Sequence, residues 1–206
     1  MTPIRLYTWG TPNGQKASIM LEEVSLPYAV QAVDISKGGT QTPEYLAMNP
    51  NGKIPLIEDP DAGRIVAESG AILLYLADRA GKLRPLPGSA DLEWMFFQAA
   101  HVGPMLGQLG FFKIFSAEKI PAAIARFEKE TDRVLDVLDT RLAASEHLGG
   151  AEYGLADIMT WPWLNGAVNR LGKSLDARPN LARWMATVGA RPAVQAGMKV
   201  PELPAV

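Results

Sequence analysis

The run Asn49-Pro50-Asn51-Gly52-Lys53-Ile54-Pro55, followed further on by Glu68-Ser69 at the head of an apolar stretch, constrains this chain more than any other feature. Asn-Pro and Asn-Gly are turn formers, so the chain reverses just before Ile54. Pro55 cannot donate to a sheet ladder, so Leu56-Ile57 reads as a strand with the proline at its first residue or on an edge. A cis Ile54–Pro55 bond is expected at so tight a turn. It would leave the N–H and C=O of Ile54 facing outward, ready to pair with an extended peptide. Glu68 and Ser69 then stand where a helix begins, ahead of Ala71, Ile72, Leu73, Leu74 and Leu76. A helix start with open N–H groups and a hydroxyl is an anion site. Together these features suit a small peptide that carries a carboxylate and needs backbone pairing.

With 206 residues the chain holds one large domain or two small ones. Its 48% hydrophobic and 20% charged residues are those of an ordinary globular protein. The net charge is −2 without a basic cluster, which argues against nucleic acid or an anionic membrane as partner. No apolar run is long enough to span a bilayer. Met1-Thr2-Pro3-Ile4-Arg5 runs straight into a strand pattern, so no leader and a cytoplasmic location are expected. There is no cysteine. A structural disulfide, a cysteine zinc site and a protein thiol nucleophile are therefore excluded. With only His101 and His147 as imidazoles, no metal is expected. Any thiol–disulfide chemistry must take every sulfur from the ligands.

Along the chain, a strand at Ile4–Leu6 leads through the loop Trp9 to Gly14 into a helix carrying Ala17, Met20, Leu21 and Val24. A strand follows from Tyr28 to Val33, then a Gly-rich loop and a short helix from Pro43 to Met48. Strands at Leu56–Ile57 and Ile65–Ala67 and a helix from Ser69 to Ala80 complete a β-α-β, then β-β-α order. Residues 82–88, with Pro85 and Pro87, read as a linker. Beyond it only helices are expected. Asp91 to about Phe115 forms one that Pro104 should kink. Pro121 to Glu146 forms another, with Ile124, Phe127, Thr131, Val134, Leu135, Leu138 and Leu142 on one face. Leu155 to Arg170, Pro179 to Gly189 and a short helix after Pro192 follow.

Six stretches in order, LYTWGTPNGQK (6–16), VDISKGG (33–39), NPNGKIP (49–55), ESGAILLYL (68–76), GPMLGQ (103–108) and ADIMTWPW (156–163), resemble the glutathione transferase superfamily. Within it the chain is most similar to the bacterial Nu class, whose members bind glutathione and reduce disulfides. The resemblance implies a thioredoxin-like α/β domain at 1–81 and an all-α domain at 89–206. It also implies a homodimer.

The resemblance further implies roles for particular residues. Thr11 and Asn13 would contact the glutathione sulfur; from the residues alone a helix cap and a turn are the better reading. Tyr7, inside a strand, is a rival sulfur donor for which packing is the better reading. Ile54 would pair its backbone with the cysteinyl unit. Glu68 would take the γ-glutamyl ammonium, Ser69 the γ-glutamyl carboxylate and Lys53 the glycyl carboxylate. Gln41 is a candidate contact one place later than the family's glutamine, with Thr40 in the expected place. Arg133 would help hold a glutathione carboxylate. It is expected near an interdomain cleft with Phe111, Phe112 and Arg126, although packing is the better reading for Phe112 and a solvated charge for Arg126. Gly154 stands where the superfamily has Ser or Thr, so Asp157 reads as half of a helix cap and as structural. His101 reads as a packed core histidine.

The function these readings imply is glutathione-dependent disulfide-bond oxidoreduction, with bound glutathione supplying the thiols. The alternatives are conjugation of electrophiles or reduction of organic hydroperoxides. A non-enzymatic glutathione-binding or interaction protein is the reading from another class.

Overall fold

The computed structural model describes residues 1–202. By contact the chain divides into two compact units, Met1–Arg84 together with the chain from Ala190, and Pro85–Gly189.

In the first unit, β1 (Ile4–Thr8), α1 (Pro12–Val24) and β2 (Tyr28–Ala32) form a parallel strand pair with its crossover helix. After two single 3₁₀ turns come α2 (Pro43–Met48), β3 (Leu56–Asp59), β4 (Arg64–Ala67) and α3 (Ser69–Ala80). The sheet order is β2-β1-β3-β4, with β3 antiparallel to both β1 and β4. This is the thioredoxin-like arrangement expected from the element order.

Strand register sorts the sheet into two faces. Leu6 pairs with Ile57, and both are fully buried on the side that α1 and α3 cover. Tyr7 pairs with Leu56, which pairs with Ala67, and these three meet Tyr45 and Met48 of α2 on the other side.

The last helix is α9 (Pro192–Gly197). The sequence reading assigns all of 89–206 to one helical domain, whereas α9 packs on α1 in the first unit. Buried Ser18 donates to the Gly197 carbonyl at 2.7 Å, and Arg191 grips Glu23 through two bonds of 2.7 and 2.9 Å.

The second unit is helical: α4 (Asp91–Phe97), α5 (Gly103–Gly110), α6 (Pro121–Ala143), α7 (Leu155–Asn169) and α8 (Pro179–Gly189). Pro104 lacks an N–H for the turn before it. The chain absorbs this with a π-helical turn at Gln98–Val102, in which the Gly103 N–H reaches back to the Gln98 carbonyl. A second π-helical turn, Phe111–Phe115, follows α5. On α6 the buried residues are Thr131, Val134, Leu135, Leu138 and Leu142, the stripe its periodicity predicts. His101 is exposed, correcting the expectation of a core histidine; its ring lies 5.0 Å from Phe97 on the next turn. No described helix is long and apolar enough to cross a membrane.

Candidate functional site: two helix heads and the loop beside them

The first helix head is built by a close approach. A Cβ on Gly14 would collide with the Trp9 carbonyl oxygen and Thr8 Oγ1, so only glycine lets the first turn of α1 close against the end of β1. Thr11 is the N-cap, and its Oγ1 accepts the Gly14 N–H at 3.3 Å. That bond uses a lone pair, so the hydroxyl proton remains available to a second acceptor. Cap and donor are therefore not competing roles for Thr11. Pro12 takes the first helical position, and Asn13 follows it, partly exposed. The positive end of α1 favours an anion beside both side chains. Tyr7 is turned away from this head. Its hydroxyl donates to Glu58 at 3.4 Å and its ring packs edge-on against Tyr45.

The loop between α2 and β3 is braced from below. Buried Asn49 accepts the Asn51 N–H on its side chain at 3.2 Å, donates to the Lys53 carbonyl at 2.8 Å, and accepts the Gly52 N–H on its backbone at 2.9 Å. The Tyr45 hydroxyl donates to the same Lys53 carbonyl at 2.8 Å. Sequence reasoning saw Asn49 as a turn former and missed Tyr45. The Ile54–Pro55 bond is cis, as expected. Among the described residues nothing hydrogen-bonds the N–H or C=O of half-buried Ile54. The Lys53 side chain is exposed. Thr40 is buried while Gln41 is exposed, and the Gln41 amide donates to Gly52 at 3.3 Å. Gln41 thus lies against this loop, and Thr40 does not face outward.

The second helix head is α3. Glu68 precedes it with φ +69° and ψ 118°, a backbone conformation that L side chains rarely adopt. Such strain points to a site. No side chain caps α3, so its leading N–H groups stay open. The Glu68 carboxylate accepts a bond from Asn51 at 3.3 Å, joining this head to the braced loop. Behind Ser69 lies Lys16 of α1, which is 2% exposed and donates to Ser69 Oγ at 3.3 Å. Burial pulls the Lys16 ammonium down to about pKa 7, against the opposing pull of the Glu68 charge. Sequence reasoning missed Lys16. Nothing local in the TPNGQK run marks this lysine, and only the fold buries it.

The thioredoxin-like sheet with these two heads matches the description "Glutathione S-transferase, N-terminal domain" over residues 2–78, and the helical unit matches "Glutathione S-transferase, C-terminal domain" over 121–187. The chain belongs to the glutathione S-transferase family. This transferase-family chain is 43% identical to the disulfide-bond oxidoreductase YfcG of Escherichia coli K12, over 92% of each chain. It is 37% identical to the disulfide-bond oxidoreductase YghU of the same strain, over 95% of this chain and 74% of that one. Among solved structures, a glutathione transferase homolog from Lodderomyces elongisporus with two glutathiones per subunit superposes with a TM-score of 0.91. It has 37% identity and covers 98% of this chain and 100% of that one.

The structure thus brings Thr11 and Asn13 together at one head of this transferase, and Gln41, Lys53, Ile54, Glu68 and Ser69 around the braced loop and the other head. Arg133 lies in the other unit, on α6, where Glu130 holds it at 2.7 Å; an anion binding there has to compete with that carboxylate. Phe112 stacks on Phe127 with centroids 5.8 Å apart, the packing role read from the sequence.

Proposed function

We propose that this protein reduces disulfides with glutathione and contributes no sulfur of its own. The Thr11 geometry carries the reading. A hydroxyl with its proton to spare sits at the positive end of α1, in a chain with no cysteine. That head can stabilise a thiolate on the ligand. In the net reaction two glutathione thiols are oxidised to glutathione disulfide. The target disulfide takes up the two electrons and two protons and leaves as two thiols. The chain's part is to bind, orient and lower a thiol pKa. Ile54 supplies a peptide edge for the cysteinyl unit, and Glu68 a carboxylate for the γ-glutamyl ammonium. Ser69 and the open N–H groups of α3 receive the γ-glutamyl carboxylate. Lys53 and Gln41 line the glycyl side, and Arg133 serves a further carboxylate. By the same resemblance the protein is a Nu-class homodimer working in the cytoplasm.

The test is steady-state reduction of a small disulfide with glutathione. Thr11→Ala should lower turnover roughly tenfold to a hundredfold, the value of a hydrogen bond to a charged group. Thr11→Ser should keep most of it. Full turnover in both Thr11→Ala and Asn13→Ala at neutral pH would remove this head from the mechanism.

A further inference from the structure

The reading above leaves Lys16 without a task. Buried lysines are rare, because an ammonium loses its hydration on entering the core. This one lies on the inner face of α1 among Ala17, Ile19 and Met20, all buried. Its Nζ is directed at Ser69 Oγ, the first residue of α3. Receiving that N–H on its oxygen, Ser69 keeps its own hydroxyl proton for an acceptor on the outer side. Open N–H groups, an outward hydroxyl and a cation beneath them form one line of positive potential ending at the head of α3.

We propose that Lys16 is a positioning residue for the γ-glutamyl carboxylate, acting through Ser69: when that carboxylate docks at the head of α3, Lys16 takes up a proton from solvent and completes the charge of the subsite. The inference rests on the glutathione reading and adds a proton to it. The surroundings allow Lys16 to respond in this way. Its ammonium, held near pKa 7 by burial, is largely neutral in mildly alkaline solution before the carboxylate arrives. Glu68, at the head of α3, is the carboxylate whose charge bears on it. Helix α9, packed on α1, carries no ionisable side chain, and Arg5 and Tyr7 of β1 are both engaged by Glu58. A second negative charge at the subsite raises the Lys16 pKa, so the bound state holds more protons. Affinity then falls as pH rises through the free-state value.

The experiment is calorimetry of the full-length protein with S-methylglutathione, whose thioether cannot titrate, at about pH 8 in two buffers of different ionisation enthalpy. Wild type should take up close to one proton per ligand, and its Kd should rise by nearly tenfold per pH unit above about pH 7. Lys16→Met should bind roughly fiftyfold more weakly at pH 7, with no proton uptake and a flat pH profile. Wild-type binding without proton uptake overturns the inference and leaves the glutathione reading intact. A pH slope that survives in Lys16→Met assigns the proton elsewhere and also overturns it. Absence of any wild-type binding overturns both readings. If Lys16→Met does not fold, the wild-type proton count decides alone.

Discussion

At the scale of the residue, two side chains occupy places that cost the fold stability. Lys16 is one. Its pKa falls from 10.5 in the unfolded chain to about 7 in the fold. Between those values the unfolded chain holds more protons, so stability rises with pH across that window; below it the whole cost is present. Lys16→Met should therefore raise unfolding free energy on the order of 2–4 kcal/mol at neutral pH, with the gain shrinking toward pH 10. Urea melts at several pH values would measure it; a destabilised variant at pH 6 would contradict the assignment. Glu68 is the other. At its positive φ, glycine is free of the strain that any L side chain meets. Glu68→Gly should be more stable than Glu68→Ala by about 1 kcal/mol, while both lose glutathione affinity. Equal affinity to wild type in a folded variant would reduce Glu68 to a helix-end residue.

At the scale of the element, the start of α7 shows a cap rebuilt from a distant part of the second unit. Asp157 behaves as read from sequence: fully buried, it accepts the Gly154 N–H at 3.0 Å, the Leu148 N–H at 3.0 Å and the Trp184 indole at 2.6 Å. Its partner does not. A Cβ at Gly154 would run into the Asp91 carboxylate, which accepts the Ala156 N–H at 3.3 Å. Asp91 of α4 thus stands in for the missing N-cap hydroxyl, and Gly154 leaves room for it. Asp91→Ala should cost about 1–2 kcal/mol. Gly154→Ser should cost about as much alone, through overpacking. Together they should restore an ordinary Ser cap, giving a coupling on the order of 1–3 kcal/mol in a double-mutant cycle read by thermal or urea unfolding. Strict additivity would refute the substitution of one cap for the other.

For the whole molecule, the absence of cysteine sets the expected chemistry. Treatment with a thiol-alkylating reagent should leave activity unchanged once the excess reagent is removed, whereas disulfide reduction should stop when glutathione is withheld. Lasting inactivation would point to a reactive group other than sulfur. Calorimetric stoichiometry should give two glutathiones, or one glutathione disulfide, per subunit. A single glutathione with turnover of electrophiles would favour conjugation.

Sequence by itself determined the elements and named most residues of the candidate site. Turn chemistry located Asn49 to Pro55, periodicity found the buried stripe of α6, and the start of an apolar helix marked Ser69. These signals are local, set by backbone preferences and by spacing within one element. Pro162 lies inside α7 without ending it, because α7 is buried almost all round and its packing outweighs the lost hydrogen bond. Only the tertiary structure decided that Lys16 is buried beneath Ser69, that Tyr45 and Asn49 hold the Lys53 carbonyl, that Asp91 fills the space at Gly154, and that α9 packs on α1. All but the brace on the Lys53 carbonyl join residues far apart in the chain. Whether a polar side chain ends in water or in the core depends on which surface the fold brings over it, and no local pattern carries that information.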